Sequence, residues 1–251
     1  MKVSIITVVY NNKTYIEDCI RSVLSQTYKD IEHIIIDGGS ADGTLDVIKQ
    51  YKDKISKVIS EPDNGIYDAL NKGIRLASGN IVGFLHADDI YANDKVIDKV
   101  AYVFMKNSID SCYGDLQYVK KDNINRVIRH WKSSEYEYRK FKYGWMPPHP
   151  TLFVKREIYD KYGSFNTEYK IAADYELMLR LLWKYKISTH YIPEVLIKMR
   201  IGGASNKSLK NLIRKSSEDY KAIKNYNAGG IYTLFLKNLS KIPQFFIRSK
   251  N

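Results

Sequence analysis

The sequence predicts an α/β protein in which one mostly parallel sheet is flanked by helices and followed by a helical tail. Two observations predict this class. Apolar, β-branched runs such as Val3–Val9 are typical of strands that a parallel sheet buries on both faces. The segments between these runs repeat apolar residues at helical spacing. Strands that alternate with helices in this way form open parallel sheets with helices on both faces.

The elements follow in order from the N terminus. We predict strands near residues 3–9, 32–37, 58–60, 81–85 and 111–119. We predict helices near residues 15–24, 45–51, 66–76, 96–104 and 173–185. After residue 119 comes a loop rich in tyrosine and tryptophan, which leads through Pro147–Pro150 into a short strand, TLFV.

Length, charge and cysteine content limit the kind of protein. A chain of 251 residues accommodates one large α/β domain. Met1–Tyr10 has no cleavage site and predicts a strand rather than a signal peptide. No stretch of the sequence holds the roughly 18 apolar residues of a membrane-spanning helix. We therefore expect a cytoplasmic protein. Its two cysteines fit neither a disulfide framework nor a metal site. Residues 201–251 hold ten basic and two acidic residues, a net +8 of the chain's +12, which indicates an anionic partner such as a membrane leaflet.

Polar clusters follow three predicted strands, at Asn11–Asn12, Asp37–Ser40 and His86–Asp89. The carboxyl ends of parallel strands meet at one edge of a sheet, where such sheets bind ligands. Asp88 and Asp89 suit Mg²⁺ or Mn²⁺ bridging a diphosphate, or alternatively cap the next helix. Asp37 suits a hydrogen bond from a nucleobase, or alternatively forms a turn before two glycines.

Five ordered motifs resemble those of the inverting family-2 glycosyltransferases of the GT-A fold. They are VSIITVVYNN, IIIDGGSADGT, EPDNGIYDALNKGI, ASGNIVGFLHADD and AADYELMLRL. The resemblance runs from Lys2 to about Ser205 and looks closest to short bacterial members that build O-antigen, capsule and other exported polysaccharides. It implies a GT-A catalytic domain over residues 1–205, built on a single Rossmann-like sheet, and a basic helical tail over residues 206–251.

The resemblance also implies roles for individual residues. Asp88 resembles the metal ligand of the family, although His86 stands where many relatives have an acid. Arg200 belongs to a late loop, RIGGAS, that resembles one closing over the diphosphate in relatives. The residues that the resemblance assigns to the nucleotide sugar are Thr7, Val9, Asp37, Asp68, Asn71, Lys72, Asp89 and Arg200.

The helix AADYELMLRL carries the residue that resembles the family's general base, Asp174, with Glu176 as the runner-up. An alternative for Asp174 is an acid placed for the helix dipole. Trp145 and His149 precede this helix in an aromatic, proline-rich loop. We interpret that loop as an acceptor pocket, with a rigid buried turn as the alternative.

The tail has apolar residues at roughly helical spacing between basic ones. They are Leu234, Phe235, Leu239, Ile242, Phe245 and Phe246, with Pro243 as an interruption. A basic helix with an apolar stripe is typical of an interfacial membrane helix, and an ordinary helix packed on the catalytic domain is the alternative.

Together these features predict an inverting transferase. The resemblance implies a hexose, galactose or glucose, moved from a UDP-sugar with Mn²⁺ or Mg²⁺ to a saccharide on a lipid diphosphate. The alternatives are a nucleotide-sugar-binding protein without transferase activity and a nucleic-acid-binding protein. The charge concentrated in the tail and the acids at the strand ends argue against nucleic acid.

Overall fold

One sheet forms the centre of the protein, which we describe from a computed structural model covering residues 1–202, 209–240 and 244. Its N-terminal half is parallel: β1 (Val3–Val9) pairs with β2 (Ile31–Asp37) and with β4 (Ile81–Phe84), and β2 pairs with β3 (Lys57–Ser60). The register Val9 to Asp37 aligns the ends of β1 and β2. The polar residues that follow these strands are therefore brought to one edge, as the sequence predicts.

The C-terminal half of the sheet mixes directions. It contains β5 (Ile90–Tyr91), β6 (Ser111–Lys120), β7 (Asn123–Trp131), β8 (Phe153–Lys155) and β9 (Thr189–Arg200). Across the described residues the strand order is β3-β2-β1-β4-β8-β6-β9-β5, with β7 paired to β6. The parallel β6–β9 pair and the antiparallel β5–β9 pair carry the end of β9 to the segment that follows β4.

Helices cover the sheet. They are α1 (Ile16–Leu24), α2 (Thr44–Lys49), α3 (Ile66–Leu76), α4 (Val96–Lys106), α5 (Arg156–Tyr162), α6 (Ala173–Met178), α7 (Leu209–Asn225) and α8 (Ile231–Leu239). A π-helical turn, Leu179–Lys184, continues α6, and 3-10 turns occupy Tyr138–Tyr143 and His149–Thr151. Gly73 lets α3 lie directly on β1, because a Cβ there would come within 2.3 Å of Ile6 Cγ2.

The predicted α/β class is confirmed, and the predicted strands and helices of the N-terminal half lie within a few residues of the observed ones. Three strands were not predicted, β5, β7 and β9. Arg200 was predicted to lie in a loop, whereas it is the last residue of β9. The predicted helix over residues 173–185 divides into α6 and the π turn. Of the residues in the RIGGAS segment and the apolar stripe, Gly203, Ser205, Ile242, Pro243, Phe245 and Phe246 lie outside the described part of the chain.

The described part of the tail packs on the domain that precedes it. Helix α7 contacts α6, and α8 contacts both α7 and the turn Tyr138–Tyr143. The Thr233 hydroxyl of α8 donates a hydrogen bond to the Lys142 carbonyl at 2.8 Å. Among the described residues, no helix is both long enough and apolar enough to cross a bilayer.

Candidate active site

The turn after β2 holds a buried carboxylate, Asp37. Its Oδ2 accepts hydrogen bonds from the backbone N–H groups of Gly39 and Ser40, at 3.1 and 3.0 Å, and from the Ser60 hydroxyl at 2.7 Å. Its Oδ1 is buried and has no hydrogen-bond partner among the described residues. A buried acceptor without a partner is costly unless a ligand supplies a donor. This oxygen is therefore suited to accept an N–H from a ligand.

Thr7 and Val9 lie on β1 beneath this turn. The Thr7 hydroxyl is fully buried and lies 3.0 Å from His33 Nε2. Val9 is 5% exposed and packs in an apolar cluster with Ile16. Both side chains are thus buried in the interior, and the Val9 carbonyl holds the turn by accepting a hydrogen bond from the Gly38 N–H.

Helix α3 carries three predicted site residues in different environments. Asn71 is buried, and its side-chain amide forms two hydrogen bonds with the Phe165 backbone. It donates to the Phe165 carbonyl at 2.8 Å and accepts from the Phe165 N–H at 2.9 Å. Lys72 Nζ lies 2.9 Å from Glu61 and 3.9 Å from Asp68. Asp68 in turn accepts a hydrogen bond from the Asn64 N–H. Asn71 thus holds the loop before α6, whereas Asp68 and Lys72 lie at the half-exposed rim.

The segment after β4 brings His86, Asp88 and Asp89 to the same edge of the sheet. Asp88 is half-exposed, while Asp89 is buried. Burial, together with the nearby charge of Asp88, raises the pKa of Asp89 well above its ordinary value. Asp89 Oδ1 accepts a hydrogen bond from the Arg200 N–H at 3.2 Å. Asp88 is consequently the carboxylate of this pair that faces the cleft.

Arg200 fixes this segment to the end of β9. Its guanidinium donates to the Asp88 carbonyl at 2.7 Å, to the Lys121 carbonyl at 3.2 Å and to the Asp18 carboxylate. The side chain is only 4% exposed. It also lines a groove of about 650 Å³ that contains none of Asp88, His149 and Asp174. In this arrangement Arg200 positions the Asp88 backbone.

The residues at this edge fit a divalent cation that arrives with a diphosphate. No group of three or more metal-donor side chains occurs among the described residues. Mg²⁺ and similar hard cations are often held by only one or two protein carboxylates, because phosphate and water oxygens complete the coordination. Asp88 offers one half-exposed carboxylate of this kind.

Asp174, at the start of α6, shares the cleft with His149. Its Oδ2 lies 3.1 Å from His149 Nδ1, and its Oδ1 lies 3.3 Å from the Tyr67 hydroxyl, which also donates to the Ile171 carbonyl at 2.7 Å. The charges of Asp88 and Asp174 both act on the His86 ring. The cleft therefore joins residues that are far apart in sequence.

The protonation states in this cleft follow from burial and charge. Burial lowers the pKa of His149 despite the nearby Asp174 carboxylate, so the imidazole is neutral at pH 7. Burial alone would raise the pKa of Asp174, but His149, which is protonated in the acid range where this carboxyl titrates, outweighs burial together with Lys215 and Lys237, and the pKa lies below its ordinary value. Asp174 is therefore an ionised carboxylate that accepts an N–H from a neutral His149.

Glu176 has a different environment from Asp174. It is 2% exposed and forms a two-point ion pair with Arg180, at 3.0 and 3.1 Å. The Tyr226 hydroxyl also donates to its Oε1. Because these partners occupy both carboxylate oxygens inside the core, Glu176 stabilises the packing of α6, and Asp174 is the acid of this helix that lies in the cleft.

Three residues of the C-terminal helices act on Asp174 or on the segment before it, although the sequence pattern does not single them out. Glu218 on α7 accepts hydrogen bonds from three successive backbone N–H groups just before α6, those of residues 170–172, at 2.8 to 3.1 Å. Lys215 and Lys237 both pair with Asp219, at 3.1 and 2.6 Å, and their charges act on Asp174. The sequence signal was limited to acids and lysines at helical spacing on α7.

Trp145 lies in an aromatic cluster. Its ring meets Tyr113 edge-on at 6.1 Å and Phe141 at 5.5 Å. The ring is half-buried. The same loop continues to His149, so both predicted acceptor residues lie on one segment, and His149 is the one that contacts Asp174.

Comparison with known proteins identifies the architecture. The family described as "Glycosyl transferase family 2" matches residues 4–163. A "PGL/p-HBAD biosynthesis glycosyltransferase" of Mycobacterium bovis is 28% identical over 208 residues, which cover 81% of this chain and 78% of that protein. An "Uncharacterized glycosyltransferase" of Rickettsia typhi is 31% identical over 258 residues, covering 98% of this chain and 75% of that protein.

Solved structures show the same fold at low sequence identity. S. aureus TarS 1–349 in complex with UDP-GlcNAc has a TM-score of 0.71 and 17% identity, and it covers 90% of this chain, which spans 65% of that chain. The mannosyltransferase PcManGT of Pyrobaculum calidifontis, in complex with GDP-Man and Mn²⁺, has a TM-score of 0.64 and 18% identity. The match covers 98% of this chain and 73% of that chain. The predicted GT-A fold is confirmed.

Proposed function

This chain belongs to glycosyltransferase family 2, and we propose that it moves a hexose from a UDP-sugar to a saccharide carried on a lipid diphosphate, with inversion at the anomeric carbon. The observation that carries the proposal is the cleft itself. An ionised Asp174, fixed by His149, lies with His86 and Asp88 at the edge of the sheet where Asp37 keeps an unsatisfied acceptor. In this proposal Asp174 is the base, Asp88 binds the metal and Asp37 contacts the nucleobase, and their position at one edge of the sheet supports it.

The proposed base is Asp174. In an inverting transfer, the carboxylate takes the proton from the acceptor hydroxyl as the new bond to the anomeric carbon forms and the bond to the diphosphate breaks. The hydrogen bonds from His149 and Tyr67 hold the two oxygens in one orientation. Because the pKa of Asp174 lies below its ordinary value, the carboxylate is ionised across the neutral range.

The donor is proposed to bind across the ends of β1, β2 and β4. Asp37 Oδ1 is suited to accept the N–H of a uracil ring, and Lys72 at the rim is near enough to the turn at Pro62 to approach the diphosphate. Asp88 would hold a divalent cation, which stabilises negative charge on a departing diphosphate. Arg200 would keep the Asp88 backbone in place.

The acceptor is proposed to enter beside Trp145 and His149. Half-buried aromatic rings suit the apolar faces of sugar rings, and the Trp145 ring borders the same loop as His149. Galactose or glucose as donor sugar, an N-acetylhexosamine on undecaprenyl diphosphate as acceptor and a role in O-antigen or capsule synthesis at the cytoplasmic face of the membrane complete the proposal. These details rest on the family resemblance.

A donor panel tests the proposal. Purified protein is incubated with Mn²⁺, a synthetic lipid-diphosphate N-acetylhexosamine and each of several UDP-sugars and GDP-sugars, and nucleoside diphosphate release is measured. We expect turnover with one UDP-hexose, dependent on the acceptor. Turnover only with a GDP-sugar, or with a water-soluble acceptor alone, would contradict the donor or acceptor assignment respectively.

A second candidate function is nucleotide-sugar binding without transfer. It is favoured by the small metal-donor set, since only Asp88 of the paired acids faces the cleft and His86 stands beside it. Calorimetric binding of a UDP-sugar in the absence of any turnover with all acceptors would support this candidate over the transferase.

A further inference from the structure

We propose that one face of the protein docks on an anionic phospholipid bilayer. Three segments form this docking face: the turn at residues 138–143, residues 183–186 at and just after the end of the π turn, and helix α8 at residues 231–239. Only α8 belongs to the basic tail. The other two segments belong to the catalytic domain, so the inference concerns a surface rather than an appended helix.

Helix α8 is oriented with its apolar side outward. Ile231, Tyr232 and Phe235 are 69%, 66% and 57% exposed, whereas Thr233 and Lys237 are buried against the domain. At 100° per residue, the exposed residues fall within an arc of about 100°, together with Leu239. Helices on the surface of globular proteins normally bury their apolar stripe. The outward stripe therefore calls for an apolar environment beyond the described part of the chain.

The three segments form one continuous surface. The Thr233 hydroxyl bonds to the Lys142 carbonyl, and the Lys142 ammonium lies 5.9 Å from the centre of the Trp183 ring. The Tyr138 ring lies 5.6 Å from that of Trp183, and the Lys186 ammonium lies 4.7 Å from the Tyr138 ring. Tyr143, 65% exposed, extends the outward apolar surface from the turn.

The charge of this face matches an anionic bilayer. The segments YRKFKY and WKYK hold five basic residues and no acid, and α8 holds no acid either. Glu137, at the edge of the turn, lies 3.9 Å from Lys140. Tyrosine and tryptophan with lysine are typical of protein surfaces at the level of lipid headgroups, where anionic lipids attract basic side chains. Two copies of so basic a face would repel each other, which disfavours a dimer.

The docking face lies next to the acceptor side of the cleft. The turn at residues 138–143 leads through Gly144 to Trp145 and then to His149, which contacts Asp174. A saccharide on a lipid carrier in that bilayer would therefore reach the cleft from the docked side. This last step rests on the proposed function, whereas binding to lipid does not.

The test measures partition of the full chain onto vesicles by co-sedimentation. Vesicles of phosphatidylcholine alone are compared with vesicles that also contain phosphatidylglycerol, without donor or acceptor. We expect binding to the anionic vesicles only, weakened by salt. Because each lysine near an anionic leaflet contributes about fivefold to partition, Lys142→Glu with Lys186→Glu should lower partition at least about twentyfold.

A second variant removes the apolar contribution, and each variant has a matched control. Phe235→Glu should lower partition about tenfold or more, since it replaces an inserted ring by a charge. Met105→Glu, at a residue 58% exposed on α4, is its control. Lys52→Glu with Lys54→Glu, both exposed, makes the same change in net charge away from the docking face. Both controls should bind within about twofold of the unchanged protein, because the two sites lie outside the proposed contact. Thermal unfolding of each variant checks that it is folded.

Three outcomes would overturn the inference. One is failure of the unchanged protein to bind anionic vesicles, and another is an equal loss of binding in the control variants. Sedimentation velocity showing a dimer that Phe235→Glu abolishes would assign the face to a second copy instead. Vesicle binding without any sugar transfer would leave the docking face standing and refute the proposed function, and transfer without vesicle binding would do the reverse.

Discussion

Removing the Glu218 carboxylate should misplace Asp174, the proposed base, by loosening the segment before α6. In Glu218→Ala, three backbone N–H groups just before α6 lose acceptors that lie 2.8 to 3.1 Å away. Hydrogen bonds to a charged group contribute about 1.5 to 3 kcal/mol each, but water reaches this half-buried site and replaces part of them. We therefore expect the free energy of unfolding to fall by about 2 to 4 kcal/mol. The loop also carries the Ile171 carbonyl that accepts from Tyr67, so Asp174 should lose part of its fixed orientation.

The activity of this variant separates a positioning role from a purely structural one. A displacement of the base by about 1 Å lowers the rate on the order of a hundredfold, so kcat should fall by about ten- to a hundredfold. KM for the donor should stay unchanged, because the proposed donor residues lie on other elements. Glu168→Ala is the control, since Glu168 is 73% exposed and pairs with Lys221 only at the surface. A Glu218→Ala protein with lower stability but full kcat when folded would show that Glu218 stabilises the fold without positioning Asp174.

Three further predictions follow from the buried ionisable groups and the cleft. Burial lowers the pKa of His33 to about 4 from 6.5, so the unfolded chain takes up this proton first as the pH falls. The His33 contribution to stability is thus present above pH 6.5 and is lost toward pH 4. Because of this group, the free energy of unfolding measured in urea should be about 2.5 kcal/mol lower at pH 4.5 than at pH 7. His33→Gln should remove that difference. Glu176→Gln leaves Arg180 buried without its counter-charge, so the free energy of unfolding measured in urea should fall by about 3 kcal/mol. The kcat per folded molecule should stay within about twofold. A large fall in kcat would make Glu176 a candidate base again. EDTA should abolish nucleoside diphosphate release, and added Mn²⁺ should restore it. Asp88→Asn should need at least about tenfold more Mn²⁺ for the same activity, whereas the control Asp63→Asn should be unaffected. Full activity of Asp88→Asn at the original Mn²⁺ concentration would contradict the metal assignment.

The sequence predicts the parallel half of the fold because its signal is local. Val3–Val9 and Ile81–Phe84 are short runs rich in apolar residues and buried throughout, and each lies within one residue of its predicted bounds. Strands β7 and β9 lack such runs, since β7 alternates exposed and half-buried residues at the edge and β9 contains Pro193. Their pairing depends on partners far away in the chain, which periodicity does not reveal.

The candidate site divides in the same way. Asp37, Asp88 and Asp174 are recognisable because each stands at the end of a strand or the start of a helix within a motif. The contact of His149 with Asp174 and the role of Glu218 depend on how separate segments pack. Chemical type alone also did not distinguish Asp174 from Glu176, whereas burial and the Arg180 ion pair do.

The central claim is that Asp174 is the general base of a sugar transfer. The most direct measurement is steady-state kinetics of Asp174→Asn with the active UDP-sugar and the lipid-diphosphate acceptor, beside the exposed control Asp53→Asn. Asparagine keeps the size of the side chain and an oxygen for the Tyr67 hydroxyl, but it cannot take a proton at neutral pH. We predict a fall in kcat of about 10²- to 10⁴-fold with an unchanged KM for the donor, and no change in the control. If Asp174→Asn retains kcat within about tenfold, Asp174 is not the general base.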